Sequence, residues 1–137
     1  MQSFKLFYEK TLGLIETIDI NGIGEVESKV DSGNGAYNVL HGINIQELPD
    51  GKISFDTVKD KSIQLPVIEY IDINIGSGNI EKRPVVEFDI LFGDKKLNNE
   101  KFSIADRTEN EYKILIGKEF IERMGGLIDV RKKNNLD

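Results

Sequence analysis

The chain has 137 residues, 39% of them hydrophobic, and carries 18 basic against 24 acidic side chains for a formal net charge of −6. That supports one modest core and is too short for the two lobes of a pepsin-like enzyme. The acidic balance argues against a nucleic-acid partner and against an anionic membrane surface, both of which call for concentrated positive charge, and the absence of cysteine excludes disulfides, thiol catalysis and thiolate zinc sites.

No window approaches the roughly 20 apolar residues of a membrane span. The first twenty residues lack an apolar run with a small-residue cleavage site, so no signal peptide is read there. The expectation is a cytoplasmic protein without membrane contact.

In chain order, the first dozen residues allow a helical turn. Leu14 to Ile20 reads as a strand turning at Asn21-Gly22, and Glu25 to Val30 as a second. Val39-Leu40 marks a third, short apolar stretch. Residues 44 to 62 are polar, with a turn at Pro49-Asp50-Gly51 and a brief strand at Ile53 to Phe55. Ile63 to Ile75 alternates apolar and polar residues, with a break or sheet edge at Pro66. Gly76-Ser77-Gly78-Asn79 is a turn, Val85 to Phe92 a strand, and Gly93-Asp94-Lys95-Lys96 a further turn. Phe102 to Ala105, Tyr112 to Ile116 and Leu127 to Val130 complete the strands. The single convincing helix is Lys118 to Met124, where Phe120, Ile121 and Met124 fall at helical spacing and Gly125-Gly126 supplies the stop. Residues 131 to 135 are polar and expected to fray. Short strands separated by Gly and Asn turns indicate an all-β barrel or sandwich.

Two segments carry candidate chemistry. One is Asp31-Ser32-Gly33 at the end of the second strand; the other is Ile114-Leu115-Ile116-Gly117, an apolar strand that ends on glycine and turns into the helix. Taken alone, Asp-Ser-Gly-Asn-Gly is more often a plain turn, since Asn-Gly is a strong hairpin signal. Taken together, the two segments outline one half of an aspartic peptidase. Two aspartyl carboxyls close enough to share a proton titrate apart, so one serves as base and the other as acid. A chain with one such Asp must then dimerise. Ser32 would brace the loop, Gly33 would let backbone approach closely, and the Ile-Leu-Ile-Gly strand would pass beneath it.

The chain resembles the RimK-associated, RimB-type branch of the retropepsins, a family that also carries the label ATP-dependent zinc protease. The resemblance runs through Ile18 to His41, Glu81-Lys82-Arg83-Pro84-Val85-Val86, Phe102 to Arg107, Tyr112 to Ile121 and Leu127 to Val130. It implies an all-β, retropepsin-like closed barrel over 1–130 with one short C-terminal helix and a polar tail at 131–137. It also implies a homodimer and an aspartic endopeptidase whose catalytic residues are Asp31, Ser32 and Gly33. The substrate class implied is glutamate-rich peptide tails of the kind a RimK-type ligase adds. The chain departs from the family pattern at Ser32 for Thr, Asn34-Gly35 for Ala-Arg, Asn38 for Ser and Lys118 for Arg. A non-catalytic module that binds acidic peptides, and an accessory protein that uses the dimer alone, share the same fold.

Lys29, His41, Arg83 and Arg107 are candidate substrate-binding residues. Lys29 lies two residues before Asp31, on the same side of a regular strand, where an ammonium would favour the ionised carboxylate and oppose proton sharing. Arg83 and Arg107 can form forked bonds to substrate carboxylates, or equally hold structure. His41 is a polar surface or satisfied core residue, or else faces the cleft, where it could bind a carboxylate or transfer a proton. With this one histidine and no His-Glu-x-x-His, no metal is expected; with no phosphate-loop pattern, neither is ATP nor any other cofactor. Gly76-Ser77-Gly78 reads first as a hairpin turn and second as a flap.

Overall fold

The computed structural model describes residues 11–136. Its strands are β1 (Thr11–Ile20), β2 (Gly24–Val30), β3 (Asn38–His41), β4 (Ile43–Glu47), β5 (Lys52–Asp56), β6 (Ser62–Pro66), β7 (Glu69–Gly76), β8 (Asn79–Phe92), β9 (Lys95–Ala105), β10 (Ile114–Ile116) and β11 (Leu127–Lys133), with helix α1 (Lys118–Arg123) before the last. The main sheet has the order β11-β1-β2-β10-β3-β9-β8-β7, and β4-β5-β6 form a second sheet. β1 also pairs with β8 through Ile18↔Phe92, Asp19↔Leu91 and Ile20↔Ile90. Among the described residues no helix is long and apolar enough to cross a membrane.

Alternation drives the assembly. In β1, Ile18 and Ile20 are fully buried while Thr17 and Asp19 lie nearer the surface. Their partners in the core include Leu40, Phe92, Phe102, Ile104, Ile114 and Ile116. α1 is held by one aromatic contact, Phe92 edge-on to Phe120 with centroids 5.1 Å apart. The helix ends within a residue of its sequence expectation.

Three sequence expectations change and one holds. The helical turn of the first dozen residues falls on positions 1–10, outside the described residues, while Thr11 and Leu12 already belong to β1. Residues 44–47, read as part of a polar stretch, belong to β4, whose side chains are mostly exposed and whose order comes from pairing with β5. β9 starts at Lys95 rather than Phe102, because its polar first half pairs with the end of β8 through Ile90↔Leu97, Leu91↔Lys96 and Phe92↔Lys95. The break expected at Pro66 is real, since β6 ends there and β7 opens the other sheet at Glu69.

The polar tail is ordered where fraying was expected. β11 runs parallel to β1, with Thr11↔Leu127 and Gly13↔Asp129, and the Asn134 amide donates to the Ile15 carbonyl at 2.7 Å. Beyond it, the fully buried Glu16 carboxylate accepts the amides of Asn135 (3.0 Å) and Leu136 (3.2 Å) as well as that of Gly13 (2.7 Å). A sequence scan sees polar residues and assigns a loose end; the attraction comes from a carboxylate more than a hundred residues earlier.

Candidate active site

β10 is inserted between β2 and β3. It runs parallel to β2 (Ile114↔Ser28, Leu115↔Lys29, Ile116↔Val30) and antiparallel to β3 (Ile114↔Leu40, Leu115↔Val39). The loop from 31 to 37 therefore has to step over the end of β10. It is tied there at once, because the Asp31 amide donates to the Ile116 carbonyl at 2.9 Å. Within the loop Asp31 Oδ1 accepts the Gly33 amide at 2.9 Å, and a Cβ at position 33 would lie only 3.2 Å from that oxygen. Asp31 is half-buried, while Ser32 and Gly33 are exposed.

The residues that depart from the family pattern build the loop's own support. Asn34 Oδ1 accepts the Ala36 amide (3.2 Å), its Nδ2 donates to the Tyr37 carbonyl (3.2 Å), and its carbonyl takes the Lys118 amide (2.8 Å). Asn38, buried at the head of β3, accepts the Gly117 amide at 2.9 Å. Gly117 is pressed against this loop. A Cβ there would sit 2.9 Å from the Ala36 carbonyl oxygen and 3.2 Å from that of Asn34, both backbone atoms that cannot swing away. Gly117→Ala is expected to destabilise the protein by about 1–3 kcal/mol, as overpacking does; a urea midpoint equal to wild type would refute the close crossing.

Arg107, in the turn after β9, lies within electrostatic reach of both Asp31 and Arg83 of β8. The Arg107 guanidinium is lowered from its ordinary value, first by burial and then by the charge of Arg83, with Asp31 acting in the opposite direction. It stays protonated all the same. Arg107 is anchored through Nε to the Tyr112 carbonyl (2.9 Å), and Arg83 through Nε to Glu81 Oε2 (2.6 Å). Two half-buried guanidiniums and one carboxylate thus share a field, an arrangement suited to receiving a further anion.

His41 takes a different place from the cleft-facing one that sequence allowed. It is 7% exposed, and its Nδ1 accepts the Arg107 amide at 2.9 Å. That bond requires an unprotonated Nδ1. Burial, then the charges of Lys113 and Arg107, lower the imidazole from its usual 6.5, against Asp106 and Asp60. The unfolded chain therefore takes this proton more readily than the folded one. The stability contributed by neutral His41 is complete above about pH 6.5 and is lost as pH falls below it, levelling off beneath the folded value. Thermal midpoints recorded from about pH 7.5 to 5 are expected to fall more steeply for wild type than for His41→Gln; parallel curves would show that His41 does not couple to folding.

Lys29 is exposed on β2, on the strand face opposite buried Val30, where the strand ends one residue before Asp31. Gly76-Ser77-Gly78 forms the tip of the β7–β8 hairpin. Among the described residues no group of three His, Asp or Glu side chains gathers to hold a metal ion. Sequence reasoning missed Lys113, which carries no signal as the polar lead-in to a strand. Its ammonium donates to the carbonyls of Arg107 (2.7 Å), Thr108 (3.0 Å) and Asn110 (2.8 Å).

The all-β chain thus threads an apolar strand beneath an Asp-Ser-Gly loop, with Arg107 in the field of both Asp31 and Arg83. Residues 43–135 match the model of the RimB-like family, described as retropepsin-like aspartic endopeptidase RimB. The chain belongs to that family. The matched span takes in Arg83, Arg107, Lys113, β10 and α1, and begins after the acid loop. A solved structure of a protein of unknown function (DUF785) from Legionella pneumophila subsp. pneumophila strain Philadelphia 1 is similar in fold, with a TM-score of 0.75 at 24% identity over 93% of this chain and 98% of that one. Among curated proteins none matches.

Proposed function

We propose that the chain is the subunit of a homodimeric retropepsin-like aspartic endopeptidase that acts on glutamate-rich peptide tails in the cytoplasm. The strand cycle β1-β2-β10-β3-β9-β8, joined back to β1, would be its closed barrel. The observation that carries the reading is the Asp31 loop tied over β10, with the Asp31 amide on Ile116 and Gly117 locked under Asn34 and Ala36. Family membership supports the same chemistry.

In this mechanism the ionised Asp31 of one subunit takes a proton from water as its oxygen attacks the scissile carbonyl. The protonated Asp31 of the partner subunit gives its proton to the carbonyl oxygen. Collapse of the tetrahedral intermediate then breaks the C–N bond: one hydroxyl returns its proton to Asp31 of the partner subunit as the carbonyl re-forms, and the amine leaves with the proton taken from water. Ser32 braces the two loops against each other. Arg83 and Arg107 receive glutamate side chains beside the scissile bond, which accounts for a preference for acidic substrates.

The test is incubation with a glutamate-tailed peptide and with a mixed peptide library between about pH 4 and 8, read by mass spectrometry. Cuts within or beside the glutamate tail are the expected result. A second reading, a module that binds acidic peptides without cutting them, draws on the arginine pair near Asp31. Tight, salt-sensitive binding with no cleavage at any pH would favour it.

A further inference from the structure

His41, Arg107 and Lys113 are joined in a closed circuit of hydrogen bonds. The His41 amide donates to the Lys113 carbonyl (2.8 Å), the Arg107 amide donates to His41 Nδ1 (2.9 Å), and Lys113 Nζ donates to the Arg107 carbonyl (2.7 Å). The circuit links the end of β3, the turn after β9 and the residue before β10. Lys113 Nζ also holds the Thr108 and Asn110 carbonyls, so one ammonium gathers three backbone oxygens of a turn that has no regular secondary structure. At the entrance to the turn, Asp106 Oδ1 accepts the Thr108 amide at 2.9 Å. What the circuit encloses is the backbone of Arg107. What it leaves is the guanidinium, fixed further by Nε on the Tyr112 carbonyl and set in the field of Asp31 and Arg83.

A lysine is an expensive way to order a surface turn. Its side chain loses about 2 kcal/mol of rotamer entropy when fixed, and Asp, Asn or Gly would shape a turn at lower cost. The arrangement makes sense if the orientation of Arg107 matters. A guanidinium recognises a carboxylate through a planar fork, and that fork works only when aimed.

We propose that Lys113 and His41 are positioning residues that aim the Arg107 guanidinium at a carboxylate of the bound substrate. This rests on the acidic-substrate reading given above but concerns binding, so it can be tested apart from cleavage. The groups facing His41 are Lys113, Arg107, Asp106 and Asp60. Lys113 and Arg107 both oppose its protonation, so the circuit holds in its neutral form at pH 7 and opens in acid, when Nδ1 becomes a donor and can no longer accept the Arg107 amide.

The experiment is calorimetric titration of hexaglutamate, with hexaglutamine as the uncharged control, onto full-length protein carrying Asp31→Asn to prevent turnover. Adding Lys113→Met is expected to weaken hexaglutamate binding about tenfold, the loss of roughly one charge-assisted bond. Arg107→Ala is expected to do at least as much, and the double variant to bind no more weakly than Arg107→Ala alone, because Lys113 acts only through Arg107. Hexaglutamine binding stays unchanged. Lys113→Gln, which keeps one donor for the turn, serves if Lys113→Met does not fold, and is expected to lie between it and the parent. Parental affinity in the folded lysine variant, a full tenfold loss on top of Arg107→Ala, or no hexaglutamate binding by the parent would each overturn the proposal. Cleavage by the Asp31 protein is scored separately. Binding that depends on Lys113 and Arg107 without cleavage removes the peptidase reading and keeps this one, and cleavage with Lys113-independent binding does the reverse.

Discussion

Asp31→Asn is expected to lower the rate of peptide cleavage by at least about a thousandfold, in the upper part of the range for removing a general acid–base group, while leaving the fold unchanged. The local bonds predict the second half of that result. The Asp31 amide on the Ile116 carbonyl is a backbone bond and is retained. The side-chain bond from the Gly33 amide survives as well, because an asparagine Oδ1 accepts as a carboxylate Oδ1 does. The residue is half-buried and sits in a loop, so no cavity is opened. What disappears is the ability to take up and release a proton. The proposed dimer sharpens the test. When wild type and variant are mixed in equal amounts and subunits exchange, only about one dimer in four keeps two aspartates. Activity should then fall to about a quarter, whereas independent subunits would retain about half. Full activity in the pure variant would remove Asp31 from the chemistry altogether.

Glu16→Ala is expected to cost about 3–5 kcal/mol of stability, more than Gly117→Ala. The carboxylate is fully buried and accepts three backbone amides, those of Gly13, Asn135 and Leu136. Removing it strands those donors, each worth about 1–3 kcal/mol when left unsatisfied in the interior. Part of the cost is relieved because the tail can swing into water and hydrate its amides. Urea denaturation should therefore show the loss in global stability, and hydrogen exchange should show residues 134–136 losing protection first. Glu16→Gln keeps one oxygen acceptor and is expected to lose less. A Glu16→Ala protein within about 1 kcal/mol of wild type would mean that the tail is held by β11 alone.

Much of this architecture was legible from residue pattern, and the exceptions have physical causes. β1, β2, the end of β8 and β10 announce themselves because each buries an alternating or continuous apolar face. The first half of β9 and all of β4 do not, since they bury little and are ordered by the strand beside them. The same distinction runs through the candidate site. The acid loop and the strand beneath it are local motifs with recognisable composition. The meeting of Arg83 with Arg107 depends on how β8 and β9 pair, and the circuit through His41 and Lys113 depends on β10 arriving beside β3. Asn34 and Asn38 stand where the family pattern has other residues. Their side chains tie the loop to itself and to Gly117.

The insertion of β10 between β2 and β3 also sets the order in which the molecule can be completed. β2 and β3 are separated by one short loop, yet they are neighbours only through β10, a strand that begins at Ile114, long after β3 has ended at His41. Until residues 114–117 arrive, the Asp31 amide has no Ile116 carbonyl to meet and the loop has no Gly117 beneath it. Closing so distant a contact is slow, because chain entropy is lost before the contact rewards it. Nascent chains therefore carry Asp31 in an unassembled loop until β10 is made and can enter between β2 and β3.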